Sequence, residues 1–232
     1  MKRVLAIFFL LAGSCPAAFA QEPYFCTTPG ASLQYERRDA DNGKLVWKHT
    51  LDVLSSSPSE DGAEIRCASR FTNERDREIA VVEYSTFIED SGNVLTDLNS
   101  TVASAIKNFL PKADIEAGFS PTVLPSELTP GMALPDAFSS IKVMGSPFNI
   151  SVTERSVVRY ETLTTPAGTF ECVVVTEHKQ EKFFLYNRDT VSYTWYARGL
   201  GMIRHDTWKN GRPDTSEILN NLSGKMILSP DK

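Results

Sequence analysis

Histidine and cysteine are scarce in this sequence, with three histidines and four cysteines among 232 residues. Neither a Cys-x-x-Cys nor a His-x-x-x-His spacing occurs, and structural zinc sites need four such ligands in short paired spacings. No dinucleotide-binding loop or nucleophile elbow is present either. The sequence therefore predicts no metal, no cofactor and a protein that is not an enzyme.

An excess of positive charge is also missing. Lys and Arg number 24 against 29 Asp and Glu, which gives a net charge of -5. Binding to nucleic acid phosphates needs basic residues in surplus and clustered on one face. We therefore expect no nucleic-acid partner.

Long hydrophobic runs are absent except at the N-terminus. Residues 1–20 have the pattern of a signal peptide: Lys2 and Arg3, an apolar run from Val4 to Ala12, and a small-x-small site, Ala-Phe-Ala, before Gln21. The apolar run is about half of the ~20 residues that a membrane span requires. The sequence predicts export to the periplasm or beyond, with no transmembrane span.

A lipid anchor at Cys15 is the competing interpretation of the same segment. Ala12-Gly13-Ser14-Cys15 resembles a lipoprotein box, but Ala12 stands where Leu is usual and the Ala-Phe-Ala site is better formed. Cleavage after residue 20 is favoured, and an envelope lipoprotein is the alternative.

Cleavage there leaves three cysteines, Cys26, Cys67 and Cys172, in a compartment where thiols oxidise. We favour a disulfide between Cys26 and Cys67, which closes a loop of about 42 residues and contributes about 4 kcal/mol on the chain-entropy model. All three pairings remain open at this stage.

Apolar and polar residues alternate with a period of two through most of the chain, and the runs are short and bounded by turn formers such as Asn210-Gly211. This pattern predicts antiparallel sheet. The fold class is therefore all-β with minor α, as one β-rich domain over residues 21–228 and a frayed tail over 229–232. Nine strands are predicted: 32–37, 44–53, 63–71, 78–88, 150–160, 170–179, 191–196, 202–209 and 215–222.

The middle of the chain differs from its two ends. A stripe of Val102, Ile106 and Phe109 favours a short helix over residues 98–110, although alternation fits part of the same stretch. Six of the thirteen prolines lie in the Pro-rich segment, residues 111–149. Because proline cannot donate to a strand ladder, this segment is predicted to run as loop or edge strand.

Cys172 follows the turn 166–168 and shares a strand face with Phe170 and Val174. His178 points the same way but lies roughly 20 Å along the strand, too far to activate a thiol. Burial in the core is therefore favoured over a disulfide or a reactive nucleophile.

Three motifs resemble the TapB-like group of secreted bacterial proteins, a domain of unknown function. They are LPSELTPGMALPD at residues 124–136, TPAGTFEC at 165–172 and WYARGLG at 195–201. The resemblance implies a curved antiparallel sheet, in the manner of a half-open barrel like that of periplasmic lipoprotein carriers. It implies no established activity and no catalytic residue.

Aromatic residues are concentrated in the C-terminal part. Tyr193 and Trp195 fall on one face of a strand and Tyr196 on the other. Either one face is core and the other is covered by the Pro-rich segment, or the curved sheet keeps an apolar concavity with that segment as a lid. The residues expected to line such a concavity are Phe184, Tyr193, Trp195, Tyr196 and Trp208.

Two functions follow from these patterns. The first is non-catalytic binding of an apolar or lipid-like molecule in the curved sheet. The second is interaction with, or assembly of, envelope proteins without a small-molecule pocket, because aromatic faces and sheet edges also form protein interfaces.

Overall fold

The computed structural model describes residues 19–224. The predicted tail over 229–232 and all but the last two residues of the predicted signal peptide lie outside this range. The chain forms thirteen strands and one helix: β1 Ser32–Asp39, β2 Leu45–Ser59, β3 Gly62–Thr72, β4 Glu78–Glu89, β5 Val94–Asp97, α1 Leu98–Phe109, β6 Ile115–Ala117, β7 Pro121–Leu124, β8 Ala137–Val143, β9 Ser146–Thr165, β10 Gly168–Phe183, β11 Tyr186–Ala197, β12 Gly201–Lys209 and β13 Arg212–Ser223.

All thirteen strands belong to one antiparallel sheet, in the order β6-β8-β9-β10-β11-β12-β13-β1-β2-β3-β4-β5-β7. The predicted fold class is confirmed, and each of the nine predicted strands is present. Four strands, β5 to β8, were not predicted. Two of these, β6 and β7, are the edges of the sheet, where Pro121 is tolerated because an edge strand need not donate on both sides. The third strand of the Pro-rich segment, β8, is not an edge strand, since it pairs with both β6 and β9.

The sheet curls until its two ends approach each other. Arg155 on β9, the third strand in the order, donates a hydrogen bond of 3.3 Å to the carbonyl oxygen of Val123 on β7, the last strand. A flat sheet would hold these strands far apart, because neighbouring strands are about 4.8 Å apart. The described strands do not close into a barrel.

Helix α1 lies in the gap between the two ends, in contact with β4 and β8. Asp97 caps its N-terminus by accepting a hydrogen bond of 3.2 Å from the backbone N–H of Asn99. Near its C-terminus, the Asn108 amide bonds to both the N–H and the C=O of Val81, at 2.8 and 2.7 Å. Asn108 thus provides hydrogen-bond partners for the Val81 backbone groups, in the part of β4 that β5 does not pair with.

The curl separates an inner from an outer face. One cavity is surrounded by side chains from strands as far apart in the order as β11 (Tyr196) and β4 (Tyr84), and from β1 and β2 between them (Tyr35 and His49). These side chains define the inner, concave face. Alternation places Tyr193 and Trp195 on the outer face. Much of the inner face is filled by core residues such as Leu33, Ile203 and Leu219, which are fully buried.

Candidate functional site

The concave face encloses a cavity of about 290 Å³, called here the inner cavity. Its wall is mainly apolar and aromatic, and it is built by eight different strands together with the segments 24–25 and 200. The lining residues are Tyr24, Phe25, Tyr35, His49, Leu51, Tyr84, Val94, Thr96, Thr122, Leu124, Arg155, Tyr196, Leu200, Gly201 and Met202. Leu124 belongs to the Pro-rich segment, which therefore covers part of the concavity.

Arg155 is the one basic side chain of this wall apart from His49, and only 8% of it is exposed. Its Nη1 donates to the carbonyl oxygens of Pro135 (2.7 Å) and Val123 (3.3 Å). Its Nε lies 3.6 Å from Glu177 Oε2 and has no hydrogen-bond acceptor among the described residues. A buried donor without an acceptor costs free energy, and the attraction of the Glu177 carboxylate offsets part of that cost.

A second buried polar group borders the cavity at His49. Its Nδ1 lies 2.8 Å from Glu217 Oε1, and its Nε2 lies 3.0 Å from Ser69 Oγ. Glu217 also accepts from Arg37 Nη1 at 3.3 Å. Burial alone would raise the pKa of Glu217, but the hydrogen bond and charge of His49 and the charge of Arg37 together hold it below its ordinary value.

Ser69, His49 and Glu217 have the hydrogen-bond order of a catalytic triad. Three features argue against that chemistry. Ser69 does not border the inner cavity, so its hydroxyl does not face a substrate space. The His49 ring is stacked between Tyr35 (centroids 5.1 Å apart) and Phe71 (4.5 Å). The strand of Ser69 is paired on both sides, which leaves no free backbone N–H pair for an oxyanion.

The outer face carries a larger opening of about 700 Å³ between β9, β11 and β12, called here the outer cleft. Trp195 lies at its base, between the guanidinium of Arg204 (4.9 Å from the ring centroid) and that of Arg159 (5.8 Å). The cleft is lined by Val158, Arg159, Asp189, Thr190, Val191, Tyr193, Trp195, Asp206, Trp208, Asn210 and Gly211.

The five aromatic residues expected to line one concavity do not come together. Tyr193, Trp195 and Trp208 line the outer cleft, and of the five only Tyr196 lines the inner cavity. Phe184 is 77% exposed at the turn between β10 and β11, where it contacts Phe183. The cause is the two-residue period, which sends neighbouring aromatic residues to opposite faces.

Most of the inner wall was missed by the sequence reasoning. Tyr35 and His49 come from the paired strands β1 and β2, but Tyr84 and Leu124 come from strands much further along the chain. Alternation marks each as facing one side of its own strand, but no local pattern shows that these sides face each other. Arg155 carries no signal of its own, since an arginine in a strand ordinarily indicates an exposed position.

The three cysteines of the described residues are buried free thiols. Burial raises the pKa of Cys172 to about 12, with a contribution from Glu161 and Glu171, and its thiol contacts the Phe170 carbonyl oxygen at 3.6 Å. Burial also raises the pKa of Cys67 to about 12, with a further contribution from the neighbouring Cys26. These raised pKa values disfavour thiolate chemistry at neutral pH. The Cys26–Cys67 disulfide stays a prediction.

Within residues 19–224, no His, Cys, Asp and Glu side chains form a group of three or more suited to hold a metal ion. In the same range, no helix has the length and apolar character that crossing a membrane requires.

The chain belongs to the DUF3108-like family, whose model matches residues 28–218. This agrees with the expectation of a domain of unknown function, but neither the TapB-like name nor the three motifs that suggested it are confirmed. No curated protein is significantly similar to the chain in sequence.

Two solved structures share the fold. The first is described as a "putative exported protein with YmcC-like fold" from Bacteroides fragilis, with a TM-score of 0.70, 20% identity, and coverage of 87% of this chain and 99% of that one. The second is described as a "putative lipoprotein" from Parabacteroides distasonis, with a TM-score of 0.70, 18% identity, and coverage of 88% and 99%. At these identities the likeness shows the fold.

Proposed function

We propose that this protein is exported and binds an apolar or amphiphilic small molecule, without catalysis, in the inner cavity. The observation that carries the proposal is the cavity itself, an apolar space of about 290 Å³ on the concave face of a curled sheet. Ligand sites are concave and mostly apolar, and they contain a few polar groups that fix orientation.

Its wall suits an apolar group. Leu51, Val94, Leu124, Leu200 and Met202 supply aliphatic surface, and Phe25 and four tyrosines supply ring surface. Burying apolar ligand surface contributes roughly 25 cal/mol per Å² before the costs of association. Met202 adds an unbranched side chain, which adapts to irregular shapes.

Arg155 is the one guanidinium in this wall, and its charge is offset by Glu177, which lies 3.6 Å from Nε. Its Nη1 already donates to two carbonyl oxygens, and its Nε is buried even from water, so neither atom is free to bond a ligand. The ligand expected is therefore an uncharged, mainly apolar chain or ring.

Non-catalytic binding agrees with the chemistry of the site. The Cys172 thiol is held protonated by burial, and the Ser69 hydroxyl does not border the cavity. Export agrees with the signal-peptide pattern over residues 1–20, and the two structural neighbours are described as an exported protein and a lipoprotein. N-terminal sequencing of the exported protein should find Gln21 first. A lipid on Cys15 would instead support the envelope lipoprotein.

The test of binding uses N-phenyl-1-naphthylamine, an apolar fluorescent probe. The exported protein should bind it saturably at one site, and organic extraction of freshly purified protein should release an apolar molecule. Met202→Trp fills the inner cavity and should weaken probe binding at least tenfold. Met144→Trp, at an exposed turn, is the matched control and should bind as the native protein does. Non-saturable binding, or equal binding by both variants, would refute the proposal.

Envelope protein interaction is the second candidate, and one observation favours it. Met144 and Phe184 are more than two-thirds exposed, and Leu185 is fully exposed. The turns that carry them lie at the same end of the sheet, because β9 and β10 are paired through Asn149 and Lys182. Cross-linking in envelope fractions should recover a partner from the native protein that a Phe184→Ser, Leu185→Ser variant loses. Unchanged recovery would exclude this end as the interface.

A further inference from the structure

The outer cleft is independent of the inner cavity. It lies on the opposite face of the sheet and shares no lining residue with it. Its volume of about 700 Å³ is within the range of small-molecule sites. An occupant of the inner cavity therefore does not account for it.

Aromatic rings form the walls of the cleft. Trp208 is 36% exposed, although tryptophan is usually well buried, and it pairs across the strands with the exposed Val191. Tyr193 is partly exposed beside them. These side chains present ring surface to an occupant at a place where no other part of the described chain covers them.

The base of the cleft is held rigidly. Trp195 is almost fully buried between two guanidinium groups, and each of these is fixed by its own carboxylate: Arg159 by Glu161 at 2.6 Å and Arg204 by Asp206 at 2.7 Å. The indole Nε1 of Trp195 has no hydrogen-bond partner among the described residues. A rigid base reduces the ordering cost of binding.

The rim is polar, and each of its carboxylates already has a hydrogen-bond partner. Asp189 lies 2.7 Å from His178, and that hydrogen bond holds the pKa of Asp189 below its ordinary value. Asp206 is paired with Arg204. Asn210 adds a neutral amide from the turn before β13. With both carboxylates hydrogen-bonded and Arg204 paired with Asp206, the rim offers polar contacts but no free carboxylate to attract a cation.

We propose that the outer cleft binds a neutral carbohydrate. A sugar ring has an apolar C–H face that packs on aromatic side chains, and an edge of hydroxyl groups that bond to carboxylates, amides and guanidinium groups. Tyr193 and Trp208 supply the ring surface, and Asp189, Asp206 and Asn210 supply the polar contacts. A lipid tail would make no use of the polar groups of the rim, and a charged ligand would meet carboxylates that already have partners.

The test is a glycan array of neutral and acidic oligosaccharides, followed by titration of the best neutral glycan while tryptophan fluorescence is recorded. Binding should change the fluorescence and be weakened at least tenfold in Trp208→Ala and Tyr193→Ala. Trp47→Phe is the matched control, because Trp47 lies on the inner face beside Arg37, and it should bind with unchanged affinity. Folding of each variant is checked by its thermal transition.

Three outcomes overturn the proposal: no neutral glycan bound, binding only to acidic glycans, or equal affinity in Trp208→Ala and native protein. The result is separate from that of the inner cavity. N-phenyl-1-naphthylamine should bind equally well with and without the glycan. If the protein did not bind this probe at all, the inner-cavity proposal would fail and the glycan result would still stand.

Discussion

Glu217 on β13 and His49 on β2 form a buried hydrogen bond across β1, with 2.8 Å between Oε1 and Nδ1. Arg37, on the strand between them, reaches the other carboxylate oxygen at 3.3 Å. Buried pairs of this kind contribute little net stability, but removing one member leaves an uncompensated charge. Replacing Glu217 alone should therefore destabilise the contact between β13, β1 and β2.

Glu217→Gln should lower the free energy of unfolding by about 3 kcal/mol, because Arg37 loses its carboxylate while still buried. Urea denaturation at neutral pH measures the change. Glu83→Gln is the matched control: Glu83 is exposed and lies 4.0 Å from Arg66, so its loss should cost less than about 1 kcal/mol. If both variants lost the same free energy of unfolding, the contacts of Glu217 with His49 and Arg37 would not be what stabilises these strands.

Stability should fall as the pH is lowered from 6.5 toward 4, because of His205. Burial, with a contribution from the charge of Arg37, lowers the pKa of His205 from 6.5 to about 4. The unfolded chain thus binds a proton in this range that the folded chain does not, which costs up to about 3 kcal/mol by pH 4. The folded state also lowers the pKa of Glu217, so protonation of this carboxyl below pH 4.5 reduces stability further.

Urea midpoints across this pH range measure the effect. His205→Gln should flatten the dependence, whereas His178→Gln, which changes a histidine near the surface, should leave it in place. A native midpoint that stays constant from pH 6.5 to 4.5 would contradict the assignment.

Asn108→Ala should expose the β4 edge at Val81. Two hydrogen bonds to the Val81 backbone are lost, each worth about 1 kcal/mol. The Val81 amide should exchange with deuterium markedly faster, while that of Ile65, on the fully paired strand β3, keeps its rate except for the change in global stability. Unchanged exchange at Val81 would show that α1 does not seal this edge.

Cys26 and Cys67 should form a disulfide in protein recovered from an oxidising compartment. Both are buried in the same core cluster, and Cys26 is close enough to raise the pKa of Cys67. Non-reducing peptide mapping should find the two joined and Cys172 free. Cys26→Ser, Cys67→Ser should unfold at lower urea concentration than native protein, and Cys172→Ser serves as the control for loss of a buried thiol. Pairing that involves Cys172 would exclude this connectivity.

Local patterns predicted the elements that obey a regular period over many residues. The nine longer strands and α1 fall where alternation and the helical stripe placed them. The turn at Asn210-Gly211 has positive φ at both residues, 51° and 72°, as the dipeptide predicts for a two-residue hairpin. Strands β5 to β8 were missed because they have only three to seven residues, too few to show a period, and β6 to β8 also lie in the Pro-rich segment.

The candidate sites were predicted less well, and the reason is visible at Tyr196. Alternation placed Tyr196 opposite Tyr193 and Trp195, which is how the structure has them. The partners of Tyr196 in the inner cavity, such as Tyr35 and Leu124, come from parts of the chain that share no local pattern with it.

The sequence by itself determined that this chain forms antiparallel strands, which residues alternate on each strand, and where the turns lie, because these depend on neighbours a few positions apart. Only the tertiary structure decided how far the sheet curls, which face is concave, and that Arg155 meets Val123 across the gap. Those features depend on side chains more than thirty residues apart in sequence, or on opposite ends of the sheet, and their packing energy has no local signature.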